Sequence, residues 1–280
     1  MEEFRITVSS LKMADALQGE DVLPVFCPSR WALSLQEGDF CAKEAPDYPF
    51  GVLLNRPVFE DELEEVRAIL YELEDTRLKM LYFSDPAVWQ NSSPAMRKRL
   101  VYRPETLVTS INDALFWMDQ GIGGVSVSPL LTKTETVRIL KAVPHAEVTI
   151  HGRILCSVSR RKLLSAWKAF YHMEEDVSGS GLMIRETTRS EDMPIRERDF
   201  GTMIFSDYEL ESFEEIGLFQ EAGCEAFYIE SAGMGEEDVK EAIDIYRMKL
   251  SGKWNEEAVQ RYRKNHPQLG KGYYDSETVL

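Results

Sequence analysis

The sequence predicts an α/β protein of the (β/α)8 barrel type, similar to a TIM barrel. The alternation of strand and helix patterns and the chain length favour this fold, and the absence of a glycine-rich phosphate motif disfavours the main alternative. Short apolar or β-branched runs recur along the chain, and a helical pattern follows most of them, which is typical of βα units around a parallel sheet. The length of 280 residues is one that barrels commonly use as a single domain. Neither GxGxxG nor a P-loop glycine pattern occurs, which disfavours an open doubly wound sheet.

Candidate strands number eight or nine, which fits a closed barrel with some irregularity. The clearest unit is GVLLN (51–55), whose following helix places Phe59, Leu63, Val66, Leu70 and Leu73 on one face. The candidates are 4–8, 22–26, 51–55, 79–83, 101–103, 124–128, 147–151, 202–206 and 226–230.

We expect one barrel domain over residues 1–250 and a C-terminal helix and tail, 251–280, packed on the barrel. Residues 173–200 are dense in charge and contain the flexible run SGSG (178–181). This segment interrupts the alternation of strands and helices. We therefore predict that it is inserted after the strand ending at His151 and covers one mouth of the barrel.

Composition limits the class of function. The formal charge of −16 repels nucleic acid and anionic membranes, so any RNA contact must be local or shared with a partner. There is no run of about 18 apolar residues and no basic, apolar leader in the first twenty residues. The four cysteines are widely spaced and form no CxxC pair. We expect a cytoplasmic protein with reduced thiols and no membrane contact.

In barrel enzymes the working residues lie at the carboxyl ends of the strands, where this chain has several polar residues. We take His151 and Glu230 as candidate catalytic residues, and Asn55 and Asp85 as candidate ligand-binding residues. A buried, hydrogen-bonded structural histidine explains His151 at least as well. No HExxH or paired-histidine spacing occurs, so no metal site is predicted.

Arginines crowd the chain after His151, although the protein as a whole is acidic. Guanidinium groups bind phosphates and carboxylates in bidentate fashion, so these arginines could form a site for an anionic ligand or an RNA backbone. Pairing with acidic residues of the same segment is an equally good explanation. The candidates are Arg160, Arg161, Arg185, Arg189 and Arg196.

Four segments carry a resemblance to a known family. They are HGRILCSVSRRKLLSAW (151–167), IRETTRSEDMPIRERDFGTMIFSDYEL (184–210), CEAFYIES (224–231) and the tail GKGYYDSETVL (270–280). Together they resemble peptidase family U32, the collagenase-like proteases, and the tail resembles the short members from Gram-positive bacteria. The resemblance is weak before Gly51 and good after Val101.

This resemblance implies three alternative functions. Paired family members hydroxylate wobble uridines of tRNA, with prephenate as a required metabolite, and in such pairs a short subunit accompanies a longer one. A subunit of such a tRNA 5-hydroxyuridine complex is the preferred function, with tRNA contacted through the complex. The family label implies a collagenase-like peptidase instead. The third alternative is a noncatalytic scaffold for a longer family member.

Some family members hold an iron-sulfur cluster with four cysteines that converge on one site. Cys156 matches the first of these, whereas Lys162 and Glu211 stand near positions where further cysteines would fall. The intervening cysteine-rich stretch is absent. We therefore expect no cofactor in this chain, with prephenate as a metabolite of the complex.

Overall fold

Eight strands pair in parallel and form a closed ring, so the centre of the molecule is a barrel. The computed structural model describes residues 2–174, 181–188 and 190–276. The ring closes at β11, where Phe227 lies opposite Phe4 of β1 on one side and Val148 of β7 on the other. The strands are β1 (Glu3–Val8), β2 (Val22–Phe26), β3 (Phe50–Leu54), β4 (Leu78–Phe83), β5 (Leu100–Tyr102), β6 (Gly124–Val127), β7 (Ala146–Ser159), β8 (Met183–Ile184), β9 (Met193–Arg198), β10 (Gly201–Glu211), β11 (Ala226–Ile229) and β12 (Leu269–Gly270).

Helices surround the ring, and most of them bury apolar residues against its outside. In α2 these buried residues are Val66, Leu70 and Leu73, as the helical spacing predicts. Single 3-10 turns lie at Ala42–Glu44 and Glu60–Glu62. The helices are α1 (Leu11–Ala16), α2 (Leu63–Glu74), α3 (Pro86–Asn91), α4 (Pro94–Arg97), α5 (Ile111–Asp119), α6 (Lys133–Ala142), α7 (Leu163–Tyr171), α8 (Ile216–Glu221), α9 (Glu236–Leu250) and α10 (Glu256–Asn265).

Both strands predicted on either side of the insert exist, but the end of one and the pairing of the other differ from the prediction. β7 does not end at His151 but continues to Ser159, and residues 202–206 belong to β10, which pairs antiparallel with this extension outside the ring. Gly152 permits the continuation: it has φ 99°, and a Cβ there would lie 1.9 Å from the carbonyl oxygen of Glu230. Only glycine allows β11 to approach β7 so closely at this point.

The strands outside the ring form a cover over the carboxyl-end mouth of the barrel. β10 pairs with β9, and β9 with β8, so the cover begins within β7 and includes the described part of the predicted insert 173–200. Residues 175–180 and Arg189 lie outside the described residues. A separate apolar cluster joins the cover to the loop after β2. Its buried members are Leu33, Leu155, Phe200, Met203 and Phe205.

The C-terminal segment lies against the barrel as far as it is described. β12 pairs with β10, and the Tyr274 hydroxyl lies 2.7 Å from Ser212 Oγ. The backbone N–H of Lys133 donates to the carbonyl of Tyr274 at 3.2 Å. No helix in the described part of the chain is both long and apolar enough to cross a membrane.

Candidate functional site

Charged side chains lie inside the barrel beside an apolar cluster that includes Val25, Leu53 and Val101, whereas branched apolar residues alone are usual there. Arg103, which directly follows β5, lies in this interior and is 4% exposed. It donates to both oxygens of the Glu105 carboxylate, from Nε at 3.0 Å and from Nη2 at 3.3 Å. Its Nη1 donates to Ser126 Oγ at 2.7 Å, and its guanidinium lies 3.6 Å from the centre of the Tyr228 ring.

Glu147 connects Arg103 to a second buried arginine. Its carboxylate accepts hydrogen bonds from Arg5 Nη1 at 2.7 Å, from Tyr82 Oη at 3.0 Å and from Arg103 Nη1 at 3.4 Å. Burial by itself lowers the pKa of each arginine, but Tyr82 and Glu147 beside Arg5, and Glu105 and Tyr228 beside Arg103, outweigh burial and raise both pKa values. Both guanidinium groups are therefore charged at any physiological pH.

Glu230 stands just after β11 at the mouth of the barrel and is 6% exposed. Its carboxyl group accepts hydrogen bonds from Ser34 Oγ at 2.8 Å and Thr7 Oγ1 at 3.0 Å. Burial raises its pKa, and burial likewise raises the pKa of Glu105 although Arg103 opposes the shift.

The interior therefore contains two guanidinium groups and three carboxyl groups, so one proton on the carboxyls balances the charge. Glu230 is best suited to hold that proton, because hydroxyl groups rather than guanidinium groups are its described side-chain partners. A buried carboxyl group whose pKa is raised holds its proton to a higher pH than an exposed one, so Glu230 is the candidate acid or base of the mouth.

A loop after β2 closes the mouth, and we call residues 29–36 the mouth loop. Asn55 Oδ1 accepts the backbone N–H of Leu33 at 2.8 Å. Arg56 Nε donates to the carbonyl of Arg30 at 2.6 Å. Arg198, at the end of β9, donates to the mouth-loop carbonyls of residues 29, 32 and 36 at 3.1, 3.1 and 3.2 Å. The loop is therefore fixed by side chains from both the barrel and its cover.

Two clefts lie beside the mouth loop. The larger, about 1040 Å³, lies between this loop, α7 and the β9–β10 turn, and both arginines and carboxylates line it. The smaller, about 250 Å³, is lined by Leu33, Tyr102, Cys156 and the buried Glu105. A small molecule in the smaller cleft would thus reach the charged interior at Glu105.

Glu230 offers a direct test of this protonation. We expect Glu230→Gln to stay within about 1 kcal/mol of the parent in unfolding free energy, because the amide oxygen can accept from one of Thr7 and Ser34 while the amide N–H donates to the hydroxyl oxygen of the other. Glu230→Ala removes the acceptor of both hydroxyls and should cost about 1–3 kcal/mol and speed amide hydrogen exchange in the mouth loop. Urea unfolding and exchange by mass spectrometry measure both effects. Equal losses in the two variants would mean that Glu230 must be ionised.

His151, the first predicted catalytic residue, lies on the outer face of the ring. Its side chain is 0% exposed and packs against α9 and α10. Nδ1 lies 3.1 Å from Tyr246 Oη, which itself donates to the carbonyl of Ile150, so Nδ1 carries the proton and donates to the tyrosine. Nε2 lies 3.5 Å from Tyr262 Oη. Burial lowers the pKa of His151 to about 3, and this environment favours a neutral, structural histidine.

The other predicted strand-end residues divide between the mouth and its rim. Asn55 lies in the mouth with Glu230, and its Nδ2 donates to Glu105 at 2.6 Å. Asp85 instead begins α3, where its side chain accepts the backbone N–H of Ala87 and that of Val58, both at 2.9 Å. The structure therefore brings Asn55 and Glu230 together around the mouth loop and gives Asp85 a helix-capping role.

The predicted arginines do not converge on one point. Arg160 lies over the Phe59 ring at 3.7 Å, Arg185 forms a bidentate pair with Asp192, and Arg196 donates to the carbonyl of Ile195. The side chain of Arg161 is exposed, and Arg189 lies outside the described residues. Internal pairing thus accounts for Arg185, while Arg160 and Arg161 stay available at the start of α7.

Most of the charged interior was not predicted from the sequence: Arg5, Arg103, Glu105 and Glu147. A signal was present, because single charges stand within or beside otherwise apolar strands, as in FRITV and VYR. Arg198 belongs to the arginines that crowd the chain after His151, but neither it nor Arg56 was predicted to hold the mouth loop.

None of the four cysteines forms a disulfide; Cys27 and Cys224 are buried, and Cys41 and Cys156 are exposed. Within residues 2–174, 181–188 and 190–276, no group of three or more His, Cys, Asp and Glu side chains is placed to hold a metal ion.

The chain thus forms a closed parallel barrel with a charged interior, and additional strands cover the mouth of this barrel. A model of peptidase family U32 matches residues 47–277, and the chain belongs to this family. Among individual proteins it is similar to the tRNA hydroxylation protein P2 of Bacillus subtilis, with 24% identity over 204 residues. The match spans 70% of this chain and 65% of the length of that relative.

Two solved structures show a low similarity to this chain. A U32 peptidase has a TM-score of 0.48 and 13% identity, over 82% of this chain and 92% of that one. The Bacillus cereus spore cortex-lytic enzyme SleL has a TM-score of 0.37 and 11% identity, over 91% of this chain and 74% of the other. Both resemblances are too loose to bear on function, and the barrel assignment rests on the strand pairing.

Proposed function

We propose that this chain acts in the hydroxylation of wobble uridines in tRNA. The observation that carries the proposal is its similarity to the tRNA hydroxylation protein P2, extending over 70% of the chain. The buried mouth also supports the proposal. It contains carboxyl groups with raised pKa values and a charged arginine, and such groups suit the binding and proton chemistry of a small polar substrate.

In this proposal the chain is one subunit, and a longer U32 member is its partner. The sequence lacks the four-cysteine set that would hold an iron-sulfur cluster, so we place any such cluster in the partner. Prephenate is the small metabolite that we propose for the complex. The larger cleft offers a dicarboxylate of this kind cations at Arg30, Lys162 and Lys168, whereas the smaller cleft presents the Glu105 carboxylate, which would repel it.

Contact with tRNA must be confined to part of the surface, because the formal charge of the chain is −16. The longer partner would supply the remaining contacts. Localisation in the cytoplasm, where tRNA is modified, is part of the same proposal.

The peptidase alternative has less support from the geometry. It rested on the family label and on His151, and His151 is buried on the outer face of the ring, away from the mouth. Gelatin or peptide cleavage by the purified chain, lost on substitution of Glu230, would restore this alternative and overturn the proposal.

Gene deletion tests the proposal directly. We expect the deletion to abolish or strongly reduce 5-hydroxyuridine-type nucleosides in hydrolysed tRNA, measured by mass spectrometry, and the intact gene to restore them. Other tRNA modifications serve as the internal control and should be unchanged. Unchanged wobble hydroxylation in the deletion strain would refute the proposal.

A further inference from the structure

α7 (Leu163–Tyr171) has no buried residue over its nine positions. It is anchored at its start, where Glu197 accepts the backbone N–H of Leu164 at 2.7 Å and Thr202 Oγ1 accepts that of Leu163 at 2.9 Å. A helix of this length gains most of its stability in proteins from burying an apolar face. An exposed α7 is therefore a helix whose outer face is available to a ligand.

Three aromatic rings stand together on this helix. Trp167, Phe170 and Tyr171 are 45%, 77% and 61% exposed. The ring of Tyr171 lies 5.8 Å from that of Trp167 and 5.0 Å from that of Phe170, measured between centroids. Exposed rings in contact with one another form a stacking platform, which isolated surface aromatics do not.

The same segment has an unusual charge. Residues 148–173 contain no Asp or Glu but five Lys or Arg, in a chain whose formal charge is −16. Within the described part of the chain, Lys162 pairs with Asp199, while Arg161 and Lys168 have no ion pair. Cations beside exposed rings are the combination that binds a single-stranded nucleic acid, through phosphate contacts and base stacking.

We propose that the α7 surface, defined as Arg161, Trp167, Lys168, Phe170 and Tyr171, binds single-stranded RNA. Charge complementarity favours RNA over a second copy of this chain, because symmetric pairing through α7 would bring two cationic surfaces together. The adjacent face of this segment, with Lys162, Ser165 and His172, lines the 1040 Å³ cleft beside the mouth loop, and Lys168 lies at the boundary because it lines the cleft too. Bound RNA would thus lie next to the mouth. That this RNA is an exposed loop of tRNA rests on the proposed function.

Fluorescence anisotropy with the full chain and a labelled oligouridine tests the surface. We expect salt-dependent binding, and about tenfold or greater weakening when Trp167→Ala, Phe170→Ala and Tyr171→Ala are combined. Lys168→Glu should weaken binding and make it less dependent on salt. The matched controls are Tyr71→Ala, an aromatic that is 76% exposed on α2, and Lys253→Glu, an exposed lysine elsewhere. Both should bind like the parent chain, and all variants should unfold at the parent temperature.

The proposal is overturned if the parent chain binds no oligouridine at low salt, or if the triple variant binds as well as the parent. It is also overturned if the triple variant keeps RNA binding but loses a copurifying protein, since α7 would then be a protein interface. If RNA binding depends on α7 but wobble hydroxylation is normal in the deletion strain, α7 is an RNA-binding surface and the proposed function is refuted.

Discussion

Replacing Arg103 with methionine is expected to lower the free energy of unfolding by about 3–5 kcal/mol. The substitution keeps most of the side-chain volume but leaves the buried Glu105 and Glu147 carboxyls without their shared guanidinium. An uncompensated buried charge costs far more than the pair itself contributes. Urea unfolding at neutral pH measures the loss.

Two further variants make the Arg103 prediction specific. Arg185→Met removes an arginine from an exposed pair with Asp192 and should leave the unfolding midpoint unchanged. Adding Glu105→Gln to Arg103→Met should recover much of the lost stability, because Glu105 then carries no unpaired charge, while Glu147 keeps its hydrogen bond from Arg5. A midpoint unchanged by Arg103→Met alone would show that the charged interior does not exist as described.

The stability of the protein is expected to depend on pH through His151. Burial, with a smaller contribution from His266, lowers its pKa from 6.5 to about 3. Below the unfolded pKa the unfolded chain therefore binds a proton that the folded chain does not. The stability from His151 is complete above about pH 6.5 and falls by about 1.4 kcal/mol per pH unit as the pH drops toward the folded pKa.

A variant without this titration isolates the effect. His151→Gln should be less stable than the parent at neutral pH, because ring packing against Tyr246 and Tyr262 is lost. Its disadvantage should shrink as the pH falls to about 4, since glutamine has no proton to bind. Glu105 and Glu230 have raised pKa values and act in the opposite direction, but they are common to both chains. A difference in stability that does not vary with pH would mean that His151 is accessible to protons in the folded state.

The sequence predicted the barrel because strand and helix periodicity is a local property. Eight of the nine candidate strands form the ring. Residues 202–206 also form a strand, but no local pattern specifies which strand it pairs with, and it pairs with the extension of β7. Gly152 was noted beside His151, yet its role depends on the close approach of the Glu230 carbonyl, which only the folded chain reveals.

Prediction of the site was limited in the same way, because local patterns do not show which distant residues come together. Asn55 and Glu230 were found because they follow apolar strands. Arg5 and Glu147 were not, because a charge within a strand normally indicates a solvent-facing position and its partner lies 142 residues away. His151 occupies a strand-end position by sequence, but an irregularity in the β7–β11 pairing, between Tyr228 and Ile229, accompanies its outward direction.

Mass spectrometry of tRNA nucleosides from the deletion strain, supplied with variants of this chain, tests the account most directly. We expect the parent chain and Tyr71→Ala to restore wobble hydroxylation, and the combined Trp167, Phe170 and Tyr171 variant to restore little of it, although it folds normally. Hydroxylation at the parental level with no copy of the chain present would contradict the central claim that this protein acts on the wobble uridine of tRNA.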